Sequence, residues 1–247
     1  MKLLRSLAAA ALIASTIPAV ALDDGEKDEV RAIIKDYLVK NPEIIEEALN
    51  ELKRKQEEGE ASAAKAAIAE NASAIFRNEG DLVLGNPKGS VTMVEFFDYN
   101  CGYCKRAHPD VAKLIENDKD LRIVMKEFAI LGPGSVYAAR AALASRKQGK
   151  YREFHLALMQ HEGRHDEASV LAVAADVGLD KDQLTRDMES ADVASMLAGN
   201  SAIADQLNIG GTPAFVIDQT LIPGAIGYDG LVAAVKEVRD AGGCKVC

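Results

Sequence analysis

The sequence contains no tryptophan, and aromatic residues make up only 5% of it. A core with so few large rings has to be filled by alanine, leucine, isoleucine and valine. Positive charge is in short supply as well: 29 Lys and Arg stand against 38 Asp and Glu, a formal net charge of −9. So acidic a chain has no electrostatic footprint for nucleic acid or for an anionic membrane surface, and neither is an expected partner. Long apolar runs are lacking after residue 21, where nothing approaches the roughly 20 residues that a bilayer span takes. Cysteine is limited to four residues, in two C-x-x-C pairs, Cys101 with Cys104 and Cys244 with Cys247. A ring closed over so few residues restrains the unfolded chain little. That excludes a framework of structural staples and points to chemistry instead.

What is present begins with a leader. Lys2 and Arg5 form a basic start, Leu7 to Ile17 are apolar or small, and Pro18 breaks the run. Ala19-Val20-Ala21 then offers the small-x-small pattern that signal peptidase reads. Residues 1–21 are therefore expected to be a signal peptide, cut after Ala21. Leu22, rather than cysteine, at the next position argues against a lipid anchor. Export places the chain where disulfides can form.

Residues 22–78 read as a helical segment. Val30, Ile33, Ile34, Tyr37 and Leu38 fall on one helical face. Asn41 and Pro42 supply an N-cap and a first-turn proline for a second helix, with Ile44, Ile45, Ala48, Leu49 and Leu52 along one side. An alanine-rich run continues to Ala74. The segment has too little bulk for a core of its own, and isolated helices need burial against something to be stable. Oligomerisation is the favoured reading. Packing of the stripe back onto the main domain is the alternative, and a flexible linker fits only Glu57–Ala64.

The main domain occupies 79–247. A short strand follows Asp81, Val91–Phe97 is a central strand rich in β-branched and aromatic residues, and a helix runs from Cys101 through Pro109 to about Asn117. Leu121–Ala129 is the next strand. Residues 134–207 then show four or five helices, punctuated by Gly149, Gly163, Gly178 and Asp180. Strand pattern returns at Ala214–Ile217 and Leu221–Ile222, before a last helix over Asp229–Ala241. The order predicts an α/β fold whose small sheet carries an all-helical insertion at about 131–207.

A C-x-x-C pair where a central strand meets a helix has a physical logic. Unpaired N–H groups and the positive end of the helix dipole stabilise a thiolate there, which depresses a thiol pKa into the range of roughly 3.5–7.5. Cys101 is thus expected to attack a substrate disulfide, and Cys104, one turn on and more buried, to resolve the mixed disulfide. Gly102 and Tyr103 set the backbone and the thiolate's stability. A zinc ribbon would need a second pair about 15–20 residues away, and none is there.

Two motifs carry a family resemblance. Glu95-Phe-Phe-Asp-Tyr-Asn-Cys-Gly-Tyr-Cys104 and Gly211-Thr-Pro-Ala-Phe-Val-Ile217 together resemble the bacterial DsbA/DsbC class of thioredoxin-fold periplasmic disulfide enzymes. The likeness covers about 79–241, with the helical insertion in the expected place. The N-terminal segment is similar to the oligomerising extensions of ScsC-type members, the suppressor-of-copper-sensitivity proteins. The resemblance implies a periplasmic protein disulfide oxidoreductase or isomerase that needs no cofactor. Its substrates would be secreted proteins with cysteines, and its partner a membrane protein, either a DsbD-like reductant or a DsbB-like oxidant.

The resemblance also implies a cis bond at Thr212-Pro213, facing the cysteines and exposing the Thr212 backbone to an extended substrate. Glu95 matches the family's buried acid beneath the cysteines, where a raised pKa would let it take the proton of Cys104. A solvent-facing or strand-edge Glu95 is the alternative, because period-2 phase alone does not place it. Asp98 and Lys126 are candidates for tuning the local field, and Pro109 reads as structural. Gly-Tyr between the cysteines and Thr before the proline resemble isomerases of the DsbC type, whereas a strongly oxidising member usually carries Pro-His and Val. Isomerase or reductase is therefore favoured over a DsbA-like oxidase.

His108 is expected to be too remote to act as a base, and His161 and His165 are expected at the surface. Cys244 and Cys247, behind a Gly242-Gly243 hinge, have no match in the family pattern. They could bind a soft metal such as Cu(I) or Zn, shuttle electrons to Cys101–Cys104, or form a local disulfide in a frayed terminus.

Overall fold

The computed structural model describes residues 23–247, so the expected signal peptide and the expected cut after Ala21 lie outside the described residues. The described residues divide into two units, one ending at Lys55 and the other Gln56–Cys247. In the first, α1 (Asp24–Lys40) starts with a capping box. The Asp23 side chain accepts the Glu26 N–H, and the Glu26 side chain accepts the Asp23 N–H. Pro42 then introduces α2 (Glu43–Glu70). No residue of α1 is buried. The apolar stripe stands exposed, with Ile33 61% and Leu49 60% accessible, and Ile34, Tyr37, Ile45 and Leu52 about as open.

In the second unit the order is the end of α2, α3 (Ala72–Phe76), β1 (Leu82–Gly85), β2 (Val91–Phe97), α4 (Gly102–Asn117) and β3 (Leu121–Glu127). A helical block follows: α5 (Pro133–Ala144) with a 3-10 turn at Ser145–Gln148, α6 (Tyr151–Gln160), α7 (Glu167–Asp176), α8 (Lys181–Met188) and α9 (Ala191–Gln206). β4 (Ala214–Ile217), β5 (Thr220–Pro223) and α10 (Gly227–Asp240) complete the chain. The sheet order is β1-β3-β2-β4-β5. Only the β2–β3 pair is parallel, as the crossover through α4 requires.

β2 lies in the middle of this mixed sheet, and all seven of its residues are buried. A strand covered on both faces has no polar side, so it reads as a continuous apolar run instead of an alternation. One face, with Met93, Phe97 and Phe215, packs with Cys104 and Val111 of α4 and with Leu231 of α10. The other, with Val94, Phe96 and Val124, packs with Ile68, Ile75, Phe76 and Ile203.

Those contacts put the start of the compact unit at Gln56, upstream of residue 79, where the sequence pattern places it. Ile68, Ile75 and Phe76 are buried core residues. Phe76→Ala is therefore expected to cost about 3–5 kcal/mol. Leu49→Ala should change the stability of the isolated chain by no more than about 0.5 kcal/mol. Urea unfolding at low protein concentration distinguishes the two.

Candidate active site at the Cys101–Cys104 pair

β2 delivers the chain into the turn Asp98-Tyr99-Asn100, and Cys101 follows as the N-cap of α4. The Cys101 N–H donates to the Asp98 carbonyl at 3.0 Å. The Cys101 sulfur accepts the Cys104 backbone N–H at 3.3 Å, one of the orphan donors that every helix start must satisfy. Both cysteines are free and buried.

The two thiols differ sharply in acidity. Cys101 is pulled down to about 5, first by the hydrogen bond from the Cys104 thiol; burial opposes this, and the Thr212 side chain and the N–H groups of Cys104 and Tyr103 add to it. Cys104 is pushed far up by that same bond to Cys101, by burial and by the charge of Glu95. At neutral pH one sulfur is a thiolate and its neighbour a thiol. That division of labour suits an attacking and a resolving group.

Glu95 lies on the sheet face that packs against the cysteines, in phase with Met93 and Phe97. It is 1% exposed, so the solvent-facing alternative does not describe it. Burial, and secondarily the Cys101 charge, raise its carboxyl to about 8, and Oε1 has no hydrogen-bond partner. The Thr212–Pro213 bond is cis. Cys101 Sγ lies 3.1 Å from the Thr212 carbonyl oxygen, to which it donates only in its protonated form. Gly102 and Tyr103 form the exposed lip of the site, with the Arg106 guanidinium 4.3 Å over the Tyr103 ring.

Other sequence candidates have different positions. Lys126 pairs in register with Phe96 and so faces away from the cysteines. It is ion-paired with Asp81 at 2.5 Å and donates to the Ala74 carbonyl at 2.6 Å. Asp98 is a pin: Oδ1 accepts the Asn100 N–H at 2.7 Å, and Oδ2 accepts those of Ile130 and Leu131 at 2.9 and 3.0 Å.

His165 is a correction. Expected at the surface, it is 3% exposed. The Asn100 side chain clamps its backbone, Oδ1 accepting the His165 N–H at 2.6 Å and Nδ2 donating to the His165 carbonyl at 3.2 Å. This amide fork ties the residue before Cys101 to the helical block. Gly134 permits the approach, since a Cβ there would lie 2.0 Å from the His165 oxygen. The sequence shows Gly134 as a helix start and nothing of its partner. His155 is also fully buried, with Nδ1 2.9 Å from the Tyr99 hydroxyl, and burial lowers it to about 3.

Cys244 and Cys247 are disulfide-bonded to each other and lie beside Asp218, whose carboxylate accepts the Lys245 N–H. Asp218 follows the far end of β4 from Pro213, about 17 Å along an extended strand. The electron shuttle between the two pairs has no support in this arrangement.

This geometry is matched by kinship. A family model described as DSBA-like thioredoxin domain matches residues 92–236, and one described as Copper resistance protein ScsC N-terminal domain matches residues 26–58. A thioredoxin-like oxidoreductase from Silicibacter pomeroyi DSS-3 is similar at 48% identity and a TM-score of 0.67, covering 68% of this chain and 97% of that one. Proteus mirabilis ScsC in a transitional conformation is similar at 34% identity and a TM-score of 0.65, covering 88% and 96%. Among curated relatives, the Na(+)/H(+) antiporter NhaA 1 of Salinispora arenicola (strain CNS-205) is 31% identical over 157 residues, covering 63% of this chain. The chain spans only 24% of that antiporter's length. By sequence and by fold, the chain belongs to the DSBA-like thioredoxin domain family.

Proposed function

We propose that the protein is an exported thiol–disulfide oxidoreductase acting on protein disulfides, in which Cys101 attacks and Cys104 resolves. The observation that carries this is the pair of free cysteines at a helix start, Cys101 as its N-cap with Sγ 3.1 Å from the Thr212 carbonyl. The Cys101 thiolate attacks one sulfur of a substrate disulfide, forming a mixed disulfide and releasing a substrate thiolate. Glu95, protonated while Cys101 is a thiolate, gives its proton to the departing substrate thiolate; the carboxylate then takes the Cys104 proton as Cys104 attacks the Cys101 sulfur. The second substrate thiolate leaves, and the enzyme is left oxidised by the two electrons the substrate gained.

Glu95 is timed for that role. Part of its raised pKa comes from the Cys101 charge, and that charge disappears when Cys101 enters the mixed disulfide. The carboxyl then ionises more readily at the moment a base is needed.

We favour isomerase or reductase action over net oxidation. A low-pKa sulfur is a good leaving group, so Cys101 also releases a substrate readily when a substrate thiol attacks back, with no net redox change. The Gly102-Tyr103 dipeptide, Thr212 and the exposed stripe of α1 and α2 support the same reading. The stripe exposes seven large apolar side chains, Val30, Ile33, Ile34, Tyr37, Ile45, Leu49 and Leu52, with Leu38 half-buried among them, a reason to pair with other copies of the chain. Burying even half of them at about 25 cal/mol per Å² would contribute several kcal/mol towards assembly. A membrane reductant would keep the thiols reduced. Among the described residues no helix is long and apolar enough to cross a membrane.

Deleting residues 23–55 is expected to leave a monomer that still exchanges dithiols but refolds scrambled ribonuclease at least about tenfold more slowly. The deletion stops at 55 because Ile68, Ile75 and Phe76 belong to the core. Light scattering beside the refolding assay checks it. A full chain that is monomeric at micromolar concentration would reverse the preference for isomerase.

A further inference from the structure

The second C-x-x-C pair is built into the fold. Asp218 Oδ1 accepts the N–H groups of Lys245 at 2.7 Å and Val246 at 2.9 Å, the two residues between the cysteines. Arg77 Nη1 donates to the carbonyl oxygens of Val246 at 2.9 Å and Cys247 at 3.2 Å. Cys244 packs against the core on one side of the sheet, and Val246 and Cys247 against the core on the other. Asp218 itself is buried. It is the first residue of the two-residue loop between β4 and β5, with a left-handed φ of 48°. The tail therefore wraps a fixed carboxylate, and the two sulfurs and a carboxylate oxygen of Asp218 lie within 4.8 Å of one another.

We propose that Cys244, Cys247 and Asp218 form a redox-gated zinc site, closed while the cysteines are bonded to each other and open when they are reduced. Two electrons and two protons from an external dithiol, itself oxidised to a disulfide, open the S–S bond. The two thiols then release their protons as they bind Zn²⁺. In a tetrahedral site with Zn–S of about 2.3 Å the sulfurs stand about 3.8 Å apart. The Cα atoms of the pair, 5.4 Å apart, sit on a two-residue spacer of the kind zinc sites commonly use.

Asp218 Oδ2 is not engaged by the tail's N–H groups and supplies the third ligand, while Oδ1 keeps the tail in place. The fourth position is left to water. The carboxylate favours zinc over Cu(I), because Cu(I) selects thiolate and thioether donors, whereas zinc accepts carboxylate oxygen beside sulfur. Among the described residues this is the one cluster of at least three Cys, His, Asp or Glu ligand atoms so close together.

The test uses the full chain with Cys101→Ser and Cys104→Ser, so that the active-site dithiol does not bind metal. Zinc affinity is measured against a chromophoric chelator, before and after reduction. The proposal expects one Zn²⁺ per chain after reduction, none before, and none after reduction when Cys244→Ser and Cys247→Ser are added. Asp218→Asn should weaken binding at least tenfold. Asparagine also tolerates the left-handed conformation, and its carbonyl oxygen can still accept the two N–H groups. Co²⁺ in place of zinc should give the intense visible bands of a tetrahedral site with thiolate charge transfer. Reduced protein that binds no more zinc than the serine variant overturns the site. An unchanged affinity in Asp218→Asn, or octahedral Co²⁺ spectra, overturns the ligand set.

Discussion

Cys104→Ala is expected to accumulate mixed disulfides with client proteins, while Cys101→Ala traps none and loses at least about a thousandfold in exchange rate, about 4 kcal/mol of barrier. The asymmetry follows from the site. Only Cys101 is a thiolate at neutral pH, held near 5 by the Cys104 thiol, the Thr212 side chain and the helix-start N–H groups. Cys104 is fully buried and pushed upward, so it is starved of both charge and access until a mixed disulfide forms beside it. Removing Cys104 takes away the donor that lowers Cys101 most, yet it leaves the attacking sulfur in place and blocks the escape. Removing Cys101 leaves a buried thiol that substrates do not reach. Non-reducing electrophoresis of the two variants, with mass spectrometry of the adducts, reads the difference. Equal trapping by both would defeat the assignment.

Glu95→Gln should stabilise the reduced protein and slow its resolving step. The carboxyl holds its proton up to about pH 8 in the fold and ionises near 4.5 in the unfolded chain. Between these values the folded state binds more protons, so stability falls as pH rises from 4.5 to 8 and levels off above. At pH 7 the cost is about 3 kcal/mol. The glutamine variant is spared it and should be more stable by up to that amount, with the gain vanishing near pH 4.5. Glutamine cannot accept the proton of Cys104, so release from the mixed disulfide should slow by about ten- to a hundredfold, with the first attack nearly unchanged. Denaturant unfolding at several pH values and single-turnover kinetics test the two halves separately. A stability difference independent of pH would show that the carboxyl is not held neutral in the fold.

Much of this was legible in the residues. Val91–Phe97 announces a central strand because both its faces are buried, and glycines mark the ends of the inserted helices because those turns need left-handed backbone, as at Gly149 and Gly178. The C-x-x-C pair is visible because strand-to-helix junctions are readable locally. The same double burial that reveals β2 hides the direction of Glu95, since a strand with no polar side has no phase. Non-local pairings were not legible. Asn100 grips His165 across the fold, and Lys126 meets Asp81, the residue just ahead of the neighbouring strand β1. The alanine-rich stretch after residue 60 reads as part of the N-terminal helical segment, yet the spacing of Ile68, Ala72, Ile75 and Phe76 puts one stripe on the sheet. The terminal cysteines gave no hint of Asp218, which reaches them through a β-hairpin turn.

The thiolate of Cys101 is the centre of the account, and titrating it is the most direct measurement. With Cys244 and Cys247 bonded to each other, the reduced active site holds two titratable thiols. Ultraviolet thiolate absorbance, or the rate of alkylation, should show a transition centred at about 5. It should vanish in Cys101→Ser, persist in Cys104→Ser, whose hydroxyl can replace the thiol as donor, and shift upward in Cys104→Ala, which has no donor. A first thiolate appearing only above pH 8, or a low-pH transition that survives Cys101→Ser, would contradict it.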